Sequence, residues 1–137
     1  MISSPRCRNR SNRRGAAAVE FAIVAPLFFL LILCIIEFGR LMMVEEILVN
    51  AARTGARTAI VPGQTDANVT TAVSNYLSAA GISGYTATLS PTLASLPSSG
   101  TALTMTVSVP WATVSWFSYS TWMSGQTLSN SASMIKE

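Results

Sequence analysis

At 137 residues, half of them hydrophobic and 11% charged, the chain has room for one small domain plus an extended element. It is too apolar for a disordered or nucleic-acid-coating protein. The formal net charge of +3 hides an uneven distribution: five of the nine basic residues, Arg6, Arg8, Arg10, Arg13 and Arg14, fall in the first fourteen positions, and residues 61–137 hold only Asp66, Lys136 and Glu137. A basic tail against an apolar run sets membrane orientation, so a membrane partner and no nucleic acid are expected.

The run behind that tail is the dominant signal. Residues 21–36 carry no charge, and Glu20 and Glu37 bracket them. A bilayer core is crossed by about 20 apolar helical residues, with a range near 17–25. The stretch 15–39 meets that length if Glu20 is tolerated near one edge. A buried core helix is the alternative, but so small a soluble domain has no core able to surround a helix that is apolar on every side. The positive-inside rule then puts residues 1–14 in the cytoplasm and everything after Gly39 outside.

Cleavable signals fit poorly at the far end of the run. No small-x-small site follows it, since Cys34-Ile35-Ile36-Glu37-Phe38-Gly39 stands there. Leu33 occupies the position where a lipoprotein-type cut before Cys34 needs a small residue. Processing on the cytoplasmic side, at Gly15, is the remaining route.

The residues at that junction carry a resemblance. Gly15 followed by Ala16-Ala17-Ala18-Val19-Glu20-Phe21 resembles the prepilin-peptidase recognition pattern of type IV pilins, in which the cut follows the Gly and Glu is residue five of the mature chain. The longer series, Arg14 to Ala22, then Pro26, then Ile36-Glu37-Phe38-Gly39-Arg40, then Asn50-Ala51-Ala52-Arg53-Thr54-Gly55-Ala56-Arg57, resembles the TadE-like family, pseudopilins of the tight-adherence (Flp) pilus system. The similarity covers residues 13–59. It implies processing residues Gly15, Ala16, Glu20 and Phe21, and a prepilin peptidase as partner. It also implies other pilins, pseudopilins and the pilus assembly machinery as partners, and a place in the bacterial inner membrane or the pilus. The bulky outer region implies a minor component rather than the major subunit.

Glu20 is the residue the physics singles out. A carboxylate at a membrane edge is expensive and persists where it has a partner. A cut after Gly15 would place the new α-amino group of Ala16 one helical turn away. In pilins, the resemblance implies, this Glu meets the N-terminal amine of a neighbouring subunit as helices bundle, and opposite charges at low dielectric offset the desolvation. The plainer reading is that Glu20 reaches to the headgroups. Pro26 removes one backbone hydrogen bond, so a kink or local loosening is expected. Glu37 can pair along the helix with Arg40, three residues on.

From Arg40 the pattern becomes amphipathic. Leu41, Val44, Leu48, Ala51, Ala52, Gly55 and Ala59 mark one face, and Glu46, Asn50, Arg53 and Arg57 the other. The helix should therefore continue out of the membrane to residue 59, with the small residues admitting a close neighbour, most simply the protein's own sheet. Val61-Pro62-Gly63 ends it.

The outer region reads as α+β. Thr65-Asp66 offers an N-cap to a short helix whose buried face would be Val69, Val73, Tyr76, Leu77 and Ala80, stopped at Gly81. Residues 85–90 alternate weakly as a strand, residues 91–100 are a Ser/Pro/Leu loop, and residues 101–110 alternate strongly. Residues 111–125 are aromatic and irregular, and residues 127–135 alternate again as a last strand despite the polar Asn130. In the aromatic stretch Trp116 and Trp122 fit either a lid over the sheet or a contact surface for subunits or an adhered surface.

The expected fold class is therefore α+β and membrane-anchored, pilin-like, with a long N-terminal transmembrane helix leading into a short helix and a small antiparallel sheet. Its segments are a basic leader (1–15), a transmembrane helix (16–39), an amphipathic continuation (40–61) and an extracytoplasmic domain (62–137). The chain lacks His, which removes histidine triads and histidine metal sites, and Cys7 and Cys34 lie on different sides of the membrane surface. No catalytic residue, metal or cofactor is expected. Two functions remain: a pseudopilin acting in pilus biogenesis and adhesion, or an uncleaved single-pass protein whose outer domain binds a ligand or protein partner.

Overall fold

The computed structural model describes residues 11–95, 100–116 and 125–136, with side chains from residue 15 onward. The first element is helix α1, Ser11–Ile60, which continues through Pro26. The chain divides into two units, Met1–Ile36 and Glu37–Glu137, and α1 contributes to both.

Among the described residues of the first unit the helix has no protein core to enter. Residues 15–36 are exposed apart from Ala25 and Ile32, which are half-buried. Large apolar side chains from Phe21 (71% exposed) to Ile36 (47%) point into the surroundings. Each large apolar side chain is worth about 1.5–3 kcal/mol on leaving water. Ten or so of them together exceed the whole stability of a typical domain, about 5–15 kcal/mol. An apolar solvent or a bundle of helices must receive this surface. Within residues 15–60, α1 is long and apolar enough to cross a membrane.

The second unit is built on the periodic face of the same helix. Val44, Leu48, Ala51, Ala52, Ala56 and Ala59 are buried, whereas Glu46, Arg53 and Arg57 are exposed. The small residues serve this domain's own packing. A Cβ on Gly55 would stand 2.7 Å from Val73 Cγ2 and 2.9 Å from Met105 Cγ, so the helix backbone lies directly on its neighbours there. The chain leaves α1 through Gly63, whose φ of +81° suits glycine.

Helix α2, Asp66–Ala79, is capped at both ends by its own sequence. The Thr65 hydroxyl accepts from the Asn68 N–H, and Asp66 in the first turn complements the positive helix end. At the far end Gly81 (φ +73°) donates to Ser78 and Ile82 donates to Leu77. This paired arrangement closes a helix on a left-handed glycine and brings Ile82 onto the core beside Leu77. The buried face is Val69, Val73 and Leu77. Tyr76 and Ala80, expected on that face, are exposed: a spacing of four holds the stripe over Val69, Val73 and Leu77, and Tyr76 falls outside it.

Three strands complete the domain: β1 (Thr86–Ser90), β2 (Ala102–Pro110) and β3 (Thr127–Ile135). They form an antiparallel sheet in the order β1-β2-β3. Leu103, Met105, Val107 and Val109 of the central strand are buried, with Ala87, Leu89, Leu128, Ala132 and Met134 packed at the margins. Asn130 shares their half-buried face opposite Val107, so the alternation holds in spite of its polarity. On the opposite face the register aligns Thr86, Ser108 and Ser129, then Thr88, Thr106 and Ser131, then Ser90, Thr104 and Ser133. That face is a field of hydroxyls, in which Thr104 and Ser133 hydrogen-bond at 2.7 Å. The architecture agrees with the α+β, membrane-anchored expectation.

Candidate functional site

Two places on α1 hold the residues with chemical character. The first is its start. Gly15, Ala16, Glu20 and Phe21 all lie within the helix and are exposed, and Arg13 and Arg14 fall in its opening turn. A Cβ built on Gly15 meets nothing within 4 Å, so no packing among the described residues requires glycine there. Glu20 stands on the exposed helix surface immediately before the uncharged run. Arg6, Arg8, Arg10 and Trp122 lie outside the described residues.

The second place is the start of the second unit, at Glu37 and Arg40 of α1. After β2, Pro110 (φ −63°) leads into a single helical turn, α3 (Trp111–Val114). The aromatic stretch expected to be irregular therefore begins with a helical turn, tied back by the Trp111 N–H donating to the Gln126 carbonyl at 2.9 Å. Val114 is buried, and its carbonyl accepts from Arg40 Nε at 2.5 Å. The Arg40 guanidinium carbon lies 5.0 Å from the centroid of the Trp116 ring, a cation–π stack.

Glu37, one turn before Arg40, accepts a hydrogen bond from the Ser115 hydroxyl through Oε1. Its other oxygen, Oε2, is buried with no hydrogen-bond partner among the described residues, as is Trp111 Nε1. The expected pairing of Glu37 with Arg40 along the helix is thus replaced by contacts of both residues with the end of α3 and the two residues after it. The physical reason is geometric. The carbonyl at the end of a helical turn needs a donor, and Arg40's planar fork supplies one while its face covers an indole. Glu37, Arg40, Leu41, Val44, Trp111, Val114 and Ser115 line a small cleft here.

The residues that reasoning from sequence missed are Ser115 and Val114. Partners 78 and 74 positions away leave no local trace, and only the Pro-Trp step after a strong strand hinted at a turn. Trp116 is 69% exposed and so stands clear of the core.

The two places share one stretch of chain. Residues 15–57 match the TadE-like protein family. No curated protein and no solved structure matches the chain. The family stretch lies wholly within α1, opening at Gly15 and running through Glu20, Glu37, Arg40 and Gly55 to Arg57. The match covers under a third of the chain and is a similarity to that family over this stretch. The same stretch holds the one helix among the described residues that is long and apolar enough to cross a membrane.

Proposed function

We propose that this protein is a minor pseudopilin of the tight-adherence pilus, inserted with residues 1–14 in the cytoplasm and cut after Gly15 by a prepilin peptidase. The outer domain stands on the extracytoplasmic side. The observation that carries the reading is the exposed, uncharged helix surface of residues 21–36, headed by one carboxylate five residues after an exposed glycine, inside the TadE-like stretch.

Processing gives each of these features a use. Gly15 is the weakest helix former in its turn, by about 1 kcal/mol relative to Ala, so the bond after it opens more readily for a peptidase. The cut removes Arg6, Arg8, Arg10, Arg13 and Arg14, which have already set the orientation. It also leaves an α-ammonium on Ala16 near Glu20. Within a bundle of such helices, the ammonium of one copy and the Glu20 carboxylate of the next satisfy each other. That pairing offsets a burial cost that is about 2.5–3.5 kcal/mol for an acid at mid-membrane and smaller at the edge, where Glu20 stands. Incorporation into the pilus, and through it adhesion, follows from helix bundling around residues 16–39.

The mass of the mature N-terminus tests this reading. In cells that contain the peptidase, the first residue should be Ala16. An intact residue 1 there would leave an uncleaved single-pass protein, whose outer domain would have to act by binding.

A further inference from the structure

Trp116 is the one large aromatic among the described residues outside α1 that is mostly exposed, at 69%. Its position is held: the Arg40 guanidinium covers the ring at 5.0 Å, and the same guanidinium donates to the carbonyl of Val114, two residues earlier. Arg40 also fixes the height of the indole along the helix. Phe38, just beyond Glu37 at the end of the uncharged run, is 60% exposed and precedes Arg40 by two residues. At 1.5 Å per residue that is a rise of about 3 Å. An indole stacked on Arg40 therefore stands beside the first charged turn of α1 after the uncharged run 21–36.

We propose that Trp116 seats the outer domain on the bilayer, with its indole in the interfacial layer of the lipid headgroups. Trp concentrates at that depth because one molecule presents both a large apolar ring and an N–H donor. The seat is aromatic rather than electrostatic. Glu37 lies one turn from Arg40 and carries the opposite charge, so the pair presents no net charge to the lipid, and the seat should not depend on anionic headgroups. Arg40 here acts as a positioning residue: it keeps the ring at a fixed height and lets its stem lie along apolar surface. The contact belongs to the protein while it stands in the membrane, before any incorporation into a filament, and rests on the membrane insertion of α1 proposed above.

The full chain, carrying Cys7→Ser, Trp111→Phe and Trp122→Phe, is reconstituted in phosphatidylcholine vesicles containing lipids brominated at graded acyl depths. Trp116 should be quenched most by the shallowest bromines and progressively less by deeper ones. Its emission should be blue-shifted relative to the same chain cut from the vesicles by protease. Replacing a third of the lipid with phosphatidylglycerol, a fraction of order 30%, should leave the pattern unchanged. The reciprocal variant, Trp116→Phe with Trp111 and Trp122 retained, should lose the shallow-quenched component, which keeps the result independent of any disturbance from the two replacements. Cys34, inside the apolar run, reports insertion through protection from a membrane-impermeant thiol reagent. Protected Cys34 with unquenched, water-like Trp116 emission overturns the seat and leaves insertion standing. Reactive Cys34 overturns both. Quenching that disappears when copies are diluted with lipid overturns the seat in favour of contact between protein molecules.

Discussion

Arg40 holds Val114 and Trp116 at once, donating to the carbonyl of one through Nε at 2.5 Å and stacking on the ring of the other at 5.0 Å. Position 40 therefore joins helix α1 to the segment that leaves the sheet. A hydrogen bond from a charged donor is worth about 1.5–3 kcal/mol and an exposed cation–π stack about 0.5–1 kcal/mol. Arg40→Ala should lower the stability of the outer domain by about 2 kcal/mol in thermal melts of the detergent-solubilised chain. Arg40→Lys keeps the charge but loses the planar fork, and should recover less than half of that loss.

Ser115 and Glu37 form the companion contact, and its energetics are asymmetric. Removing the hydroxyl leaves a carboxylate whose second oxygen is already buried and unpartnered. Ser115→Ala should therefore cost about 1–3 kcal/mol. Glu37→Gln retains an acceptor for Ser115 and removes the buried charge, so it should be neutral or stabilising. The double variant Glu37→Gln/Ser115→Ala should cost less than Ser115→Ala alone, a non-additivity that a double-mutant cycle measures. Strict additivity would mean the two side chains do not interact in solution.

Gly55 marks the closest approach of α1 to the rest of the core. A methyl group there would overlap Val73 Cγ2 and Met105 Cγ. Overpacking of this kind costs about 1–3 kcal/mol, against a gain of about 1 kcal/mol in helix propensity for Ala over Gly. Gly55→Ala should come out net destabilising, and Gly55→Val more so. Gly39 is the internal control, because a Cβ there meets nothing within 4 Å. Gly39→Ala should leave the melting temperature unchanged or raise it slightly.

Glu20 has no role in the core, being exposed near the start of α1. Glu20→Ala should leave membrane insertion and the outer-domain melt intact while reducing co-purification with pilus components. Undiminished co-purification would remove the assembly role assigned to this carboxylate.

Much of the fold was legible because it is written in local periodicity. The two-residue alternation of residues 101–110 became β2 with Leu103, Met105, Val107 and Val109 buried, and Thr65 and Gly81 bound α2 as their backbone chemistry requires. Errors came where two local rules competed. Tyr76 fits a broad helical stripe by spacing, yet the narrow seam between α1 and the sheet admits only Val69, Val73 and Leu77 from α2. Glu37 and Arg40 fit a helical ion pair by spacing, yet each found a better partner beyond β2. Those partners are set by the closure of the whole domain, a relationship that no window of neighbouring residues encodes.

The hydroxyl rows on the outer face of the sheet have a consequence for the environments this protein can tolerate. Between Val61 and Ile135 the only carboxylate is Asp66, and it accepts from the Leu93 N–H as part of the fold. A surface made of Ser and Thr offers almost nothing for protons or counter-ions to act upon. Its hydration stays the same in brine or fresh water, and across mildly acid or alkaline surroundings, because hydroxyls neither titrate there nor gather an ion cloud. A domain with such a face keeps one unchanging surface while the medium around it shifts.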